Sequence, residues 1–424
     1  MEPHLYFQSD ASELDKKDAL PSNREHFHIP VNKNGEETIY FVGHSLGLQP
    51  KLAQTYINDE LQNWKKLGVD AHFEANKPWV SYHKNLAKPI GRLVGALPTE
   101  VVVMNTLTVN LHLMMISFYR PTRKRNKILI EGSAFPSDLY AIKSQIAWHG
   151  FDPEETLIEI HPKNGEDTIQ TEAIEELIAK EGNTIALVFI SGVNYLTGQV
   201  FPIKKITEIG HQKGCVVGFD LAHAIGNIEL QLHDWQVDFA VWCSYKYLNG
   251  GPGCVGGCFI HTDHGSKSNL PRFSGWWGHQ KATRFQMLPE FDPIPGAEGW
   301  QLSNQPILLL AALRASLELF DSIGMDHLRS KSKRLTGYLE YLLLNRLGSN
   351  ISIISPENPE QRGCQLSIRS PQIGRHIYNT LSRHGVQLDW REPDVIRLAP
   401  VPLYNTFSDV YNCVKIIENI KTST

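Results

Sequence analysis

An α/β fold, a mostly parallel sheet flanked by helices with a smaller α+β lobe towards the C-terminus, is what this 424-residue sequence predicts. Three observations carry that expectation. From Lys127 onward, short apolar runs alternate with amphipathic stretches, the rhythm of βα units. Several of those runs are too continuously apolar for a one-sided strand and suit strands buried on both faces. After Pro306 the text changes to long helical runs followed by short strands.

Taken in order, the runs at 127–131, 156–160, 185–191, 215–220, 239–244 and 255–261 predict strands, and 137–149, 169–179 and 203–212 predict the helices between them. Helices over 307–323 and 325–345, strands over 351–354 and 363–368, and a closing helix over 408–419 with Ser408 as its N-cap complete the C-terminal lobe. The expected division is a disordered or tag-derived stretch over 1–20, since Leu5-Tyr6-Phe7-Gln8-Ser9 resembles a tag-cleavage remnant. An N-terminal segment joining the small lobe follows over 21–75, then a large cofactor-binding domain over 76–310 and a small C-terminal domain over 311–424.

Composition narrows the function. With 41 basic and 45 acidic residues the net charge is −4, without the basic excess that phosphate-backbone binding demands, so nucleic acid is not expected as a partner. The apolar run from Val101 to Tyr119 is broken by Asn105, Asn110 and His112, which argues against a membrane span. Six cysteines lack both the paired spacing of a zinc site and the density of a disulfide framework. No metal is expected, and a reducing, cytoplasmic setting is.

Chemistry concentrates in two places. Phe219-Asp220-Leu221-Ala222-His223-Ala224 ends an apolar strand with a carboxylate and an imidazole, where ligands of open α/β sheets bind. Another strand then runs into Ser244-Tyr245-Lys246-Tyr247-Leu248 and Gly250-Gly251-Pro252-Gly253. A lysine at a strand end beside a carboxylate is what pyridoxal phosphate requires: the amine forms a Schiff base, and the carboxylate keeps the pyridine nitrogen protonated. Taken singly, an Asp after a strand is most often an N-cap, a loop lysine is solvated, and a Gly-rich run is a turn. Their order and spacing together point to the cofactor.

Six further pieces carry a family resemblance that spans Tyr40 to Asn419. They are Phe41 to Pro50 (FVGHSLGLQP), Asn105 to His112 (NTLTVNLH), Phe135 to Asp138 (FPSD), Gly218 to Ala224 (GFDLAHA), Trp276 to His279 (WWGH) and Arg397 to Tyr404 (RLAPVPLY). In these the sequence resembles the class V aminotransferase-like enzymes of fold type I, and within them the kynureninases. The resemblance implies a pyridoxal 5'-phosphate enzyme that hydrolyses the Cβ–Cγ bond of L-kynurenine or 3-hydroxy-L-kynurenine, giving L-alanine and an anthranilate. It implies Lys246 as the Schiff-base lysine, with Tyr245 as a proton donor. Leu107, Thr108, Tyr245 and Trp276 would hold the phosphate. Phe135, Pro136, Ser137, Asp138, Ser191, His223 and Asn304 would line the cofactor, with Asp220 on its nitrogen.

Arg397 would grip the substrate α-carboxylate, since its planar fork suits bidentate contact. Ser45, His44, His72 and Asn304 would face the substrate. His44 departs from the family, which usually carries Asn there. His72 and Asn304 match positions of the branch that prefers the 3-hydroxy substrate. A homodimer with shared active sites is also implied. The alternatives are a cysteine desulfurase or selenocysteine lyase, which would need a reactive loop cysteine, and a cofactor-binding scaffold without catalysis.

Overall fold

The computed structural model describes residues 11–267, 269–348 and 351–421. Its large sheet has seven strands: β1 (Val101–Val103), β2 (Lys127–Glu131), β3 (Leu157–Ile160), β4 (Ile185–Ser191), β5 (Val216–Asp220), β6 (Phe239–Trp242) and β7 (Gly257–Ile260). They lie in the order β1-β7-β6-β5-β4-β2-β3, and β7 alone runs antiparallel to its neighbours. β6 is buried throughout and β4 in all but its last residue, which is why both read as unbroken apolar runs. The polar exceptions sit at the ends. Glu131, Ser191 and Asp220 are the last residues of the three adjacent parallel strands β2, β4 and β5, and Lys246 lies four residues past β6.

The helices α1 (Ala11–Lys16), α2 (Lys51–Leu67), α3 (Leu107–Phe118), α4 (Pro136–Trp148), α5 (Ile203–Gln212), α6 (Ile307–Ile323), α7 (Met325–Leu347) and α8 (Phe407–Lys421) surround this sheet and a smaller one. The smaller sheet is antiparallel, with β8 (Ser352–Ile353), β9 (Leu366–Arg369), β10 (Asp389–Arg391) and β11 (Val395–Leu398) in the order β8-β9-β11-β10. Residues 39–40 pair with Val386–Gln387 of the C-terminal lobe, while α2 packs on α6.

Three expectations are corrected. Residues 11–20 are docked, not disordered: Asp15 accepts the Phe407 and Ser408 backbone N–H groups at 2.7 and 3.1 Å, and Asp18 is buried against Lys331 (3.1 Å) and Arg334 (2.6 Å). A boundary at 310 cuts α6 from the core it packs on; Leu310, Leu313 and Leu317 belong to the large core, and the two cores separate within α7, between Leu328 and Leu335. Thr406, not Ser408, opens the last helix. Its hydroxyl accepts the Asp409 N–H at 3.1 Å while the Asp409 carboxylate accepts the Thr406 N–H at 3.2 Å, a reciprocal cap that frees Ser408 to donate to Asp15.

Removing Asp18 would take the counter-charge at 3.1 Å from Lys331, which is 2% exposed, and leave the more weakly acting Asp15. Asp18→Ala is therefore predicted to cost about 3 kcal/mol, read as a lower urea midpoint. An unchanged midpoint would show that this segment does not hold the C-terminal lobe.

Candidate active site

Strand register and two helix starts bring most of the predicted residues to one cavity. It is lined by Leu107, Thr108, Glu131, Phe135, Ser137, Asp138, Ser191, Val193, Tyr195, Asp220, Ala222, His223, Tyr245 and Lys246. Ser191 and Asp220 are register partners on β4 and β5, so both reach the same end of the sheet. Leu107 and Thr108 open α3 after an extended Thr106 whose side chain makes no cap, leaving first-turn amides for an anion. Ser137 and Asp138 stand in the first turn of α4, and the Thr108 and Ser137 hydroxyls are 2.8 Å apart.

Lys246 Nζ lies 3.0 Å from His223 Nε2 and 5.7 Å from the centre of the Phe135 ring. Burial, and then the nearby Lys246 charge, hold His223 well below its usual pKa, so the imidazole is neutral and accepts from the amine. Burial raises the carboxyls of Glu131, Asp138 and Asp220. Asp138 is pushed up furthest, by burial and then by the charge of Asp220, whereas its hydrogen bond lowers Asp220. Within this pair a proton is favoured more strongly on Asp138 than on Asp220. Asp220 also accepts the Ala222 N–H at 2.7 Å, and Glu131 accepts the Ser191 N–H at 3.2 Å with each oxygen. Burial likewise raises Tyr245, which keeps its proton.

Asp138 Oδ1, Ser191 Oγ and His223 Nδ1 are buried without a hydrogen-bond partner. Such a set costs free energy unless a polar ligand meets it. Carboxylate, hydroxyls, helix start, aromatic ring and amine together fit a phosphorylated pyridine aldehyde. A loop also closes on the lysine: Gly47 donates to the Tyr245 carbonyl at 2.8 Å, and a Cβ at Gly47 would collide with the Lys246 carbonyl oxygen.

Arg397 comes from the small lobe and is 1% exposed. Its Nη1 donates to the Tyr195 carbonyl at 2.7 Å and its Nη2 to Asp389 at 2.5 Å. His44 Nε2 is 3.7 Å from the same Asp389 oxygen, too far for a hydrogen bond, and its ring centre is 6.4 Å from that of His223. Burial, and then the positive charge of Arg397, lower His44 to about 3.

Not every expected residue arrives. Pro136 starts α4 without lining the cavity, and Ser45 is partly buried in the turn before Gly47. Trp276 is 42% exposed and donates to the Arg284 carbonyl at 3.0 Å. Half-buried His72 holds the Val69 carbonyl at 3.1 Å, and exposed Asn304 lines a separate hollow with Thr106 and Val109. Glu131, Tyr195 and Asp389 were missed. Glu131 carried the same signal as Asp220, an acid ending an apolar strand, while Tyr195 and Asp389 carried none. A second cluster, Glu100 with His233 and His261, has metal-like spacing, but Glu100 is taken up by Leu97 N–H, Thr262 N–H and His233 at 2.8 to 2.9 Å.

Residues 328–417 match the family described as the kynureninase C-terminal domain. The chain is 56% identical to the kynureninase of Koribacter versatilis over 96% of both chains, and 54% identical to that of Myxococcus xanthus over 98% of both. The chain belongs to the kynureninase family. Among solved structures, the cysteine desulfurase of Thermococcus onnurineus NA1 superposes with a TM-score of 0.75 at 15% identity, covering 91% of this chain and 95% of that one. The cystine C-S lyase C-DES in complex with cysteine persulfide gives 0.76 at 18%, covering 90% and 97%. These two share the fold of the kynureninase family chain.

His44 sets a pH dependence. Its proton binds near 6.5 when exposed but only near 3 in the fold, so between those values the unfolded chain holds more protons. The stability owed to a neutral His44 is complete above about pH 6.5 and falls by up to about 1.4 kcal/mol per pH unit below it. His44→Asn, which cannot titrate, is expected to flatten the slope of urea stability between pH 6 and pH 4. Parallel slopes would refute the assignment.

Proposed function

We propose that this chain is a pyridoxal-phosphate-dependent hydrolase that cleaves the Cβ–Cγ bond of L-kynurenine or its 3-hydroxy form, releasing L-alanine and anthranilate or 3-hydroxyanthranilate. The observation that carries the reading is the Lys246 amine, 3.0 Å from a neutral His223 in a cavity whose far wall is the Asp138–Asp220 pair. The full-length kynureninase relatives support it.

The cofactor, when bound, supplies an aldehyde for the lysine and a ring that takes up the electron pair left at the substrate Cα. Asp220 would hold the proton on the ring nitrogen. The first-turn amides of α3 with the Thr108 and Ser137 hydroxyls would hold the phosphate, and Phe135 would lie against the ring. Lys246, once free, takes the proton from Cα; His223, unable to compete for it at neutral pH, keeps the amine in place. Water adds to the γ-carbonyl carbon and leaves within the anthranilate carboxylate, while Tyr245, protonated, supplies the proton that Cβ takes up as the Cβ–Cγ bond breaks. Arg397 fixes the α-carboxylate and thereby the direction of the Cα–H bond.

A sulfur-transferring activity needs an accessible thiolate. The six cysteines are all buried, and burial raises each thiol, to about 12 at Cys254, Cys364 and Cys413.

The reading includes a homodimer. Phe73, Trp276, Phe285 and Met287 are 42 to 67% exposed, with Phe285 6.0 Å from Phe73 and 5.5 Å from Trp276, an aromatic surface suited to burial against a second copy. His72, Trp276 and Asn304 stand at such surfaces, where they would serve the site of the other copy.

Lys246→Ala is expected to abolish release of fluorescent anthranilate from L-kynurenine and to lose the lysine-linked cofactor absorption, while some cofactor is retained without the covalent link. Borohydride labelling of a different lysine would overturn the assignment. Arg397→Lys keeps the charge but not the fork and is expected to lose on the order of 2 kcal/mol of transition-state binding; an unchanged kcat/KM would remove Arg397 from the site. In competition, the 3-hydroxy substrate is expected to have the higher kcat/KM, because polar groups built around a hydroxyl are left unpaired by the analogue that lacks it. His72→Ala and Asn304→Ala should narrow the ratio, and equal constants in the parent would refute the preference.

A further inference from the structure

Asp389 and Arg397 are facing residues of adjacent strands β10 and β11, so the pairing is built into the register of the small sheet. The carboxylate sits on Nη2 of the guanidinium at 2.5 Å, and one of its oxygens also accepts from Arg391 Nη2 at 3.1 Å. One N–H of Nη1 goes to the Tyr195 carbonyl and one of Nη2 to Asp389, while Nε is buried with no partner. An incoming carboxylate that pairs Nη2 with a second nitrogen of the fork would share Nη2 with Asp389, and two carboxylates on one guanidinium repel each other. His44 stands 3.7 Å from the same Asp389 oxygen, buried, with both ring nitrogens unpartnered. A neutral imidazole carries one N–H and can donate it without taking up a proton.

We propose that Asp389 is an internal stand-in for the substrate carboxylate: it holds Arg397 in the free protein, yields Nη2 when substrate arrives, and is then received by the N–H of His44. The inference rests on the reading that Arg397 grips the α-carboxylate. Asp389 and His44 are thus positioning residues that act through Arg397, and they set how strongly the site discriminates amines with a carboxylate from amines without one. His44, where relatives usually carry Asn, is this chain's receiver for the displaced carboxylate.

The test uses the cofactor-loaded enzyme and binding calorimetry with two probes, L-alanine, which has the carboxylate, and ethylamine, which lacks it. Neither reaches the pocket for the aromatic ring, so a ring contact of His44 does not enter. Asp389→Asn removes the competing charge and is expected to tighten L-alanine roughly tenfold with ethylamine unchanged. His44→Ala removes the receiver and is expected to weaken L-alanine by roughly threefold, an effect that disappears when Asp389→Asn is also present. Weaker L-alanine binding in Asp389→Asn would make Asp389 a mere support for Arg397, and equal shifts for both probes would reduce it to a general charge effect; either result overturns the proposal. If Asp389→Asn does not load cofactor, His44→Ala decides alone, since unchanged L-alanine binding there leaves the carboxylate no receiver. Arg397→Gln separates the two layers: if it leaves L-alanine binding unaltered, the carboxylate assignment of Arg397 fails as well.

Discussion

Three acids, Glu131, Asp138 and Asp220, are buried around one amine, and much of the molecule is arranged so that this arrangement survives folding. Three ionised carboxylates beside a single cation would repel one another at low dielectric, and burial pushes all three towards the protonated form, Asp138 well above its ordinary value. The Lys246 charge opposes that rise at Asp138 and Asp220. The register of β2, β4 and β5 is therefore more than packing. A one-residue slip of any of them would turn its terminal polar residue to the other face of the sheet and leave the remaining acids without their counterparts.

The same constraint explains the chain's long-range connections. The lysine follows β6, yet its carbonyl is closed over by Gly47, and the loop that carries Gly47 also carries His44 into contact range of Asp389 in the small lobe. The N-terminal segment continues this link, with residues 39–40 added to a strand of the C-terminal lobe and Asp15 and Asp18 docked on α8 and α7. Large core, small core and N-terminal segment thus meet beside the cavity, where Arg397 donates to the carbonyl of its lining residue Tyr195.

The sequence made the central sheet legible because strands buried on both faces must be continuously apolar, so a polar residue at the end of such a run stands out; Asp220 and Lys246 were readable for that reason, Ser191 came only with the family resemblance, and Glu131 met the same criterion. Tyr195 and Asp389 were not readable. Tyr195 contributes a carbonyl and a ring edge from a loop, and Asp389 matters only through its cross-strand partner, a relation no local pattern reveals. The domain boundary was misjudged because α6 and α7 look alike in sequence, and only their packing shows that one faces the large core while the other passes from core to core. Residues 11–20 were set aside with the tag-like stretch before them, although two acids in this short polar segment are its docking points.

His72, Trp276 and Asn304 teach the complementary lesson. In a single chain Trp276 and Asn304 face solvent and His72 is half-buried, and exposed apolar side chains stand beside them, Phe73, Phe285 and Val109 among them. Burying those apolar surfaces would gain free energy in proportion to area, less the cost of ordering the side chains carried in with them. The lysine cavity, by contrast, holds polar atoms of Asp138, Ser191 and His223 that packing leaves unsatisfied at the end of the sheet where the strands stop. The free energy given up there is of a kind that recurs where a fold is shaped around a ligand.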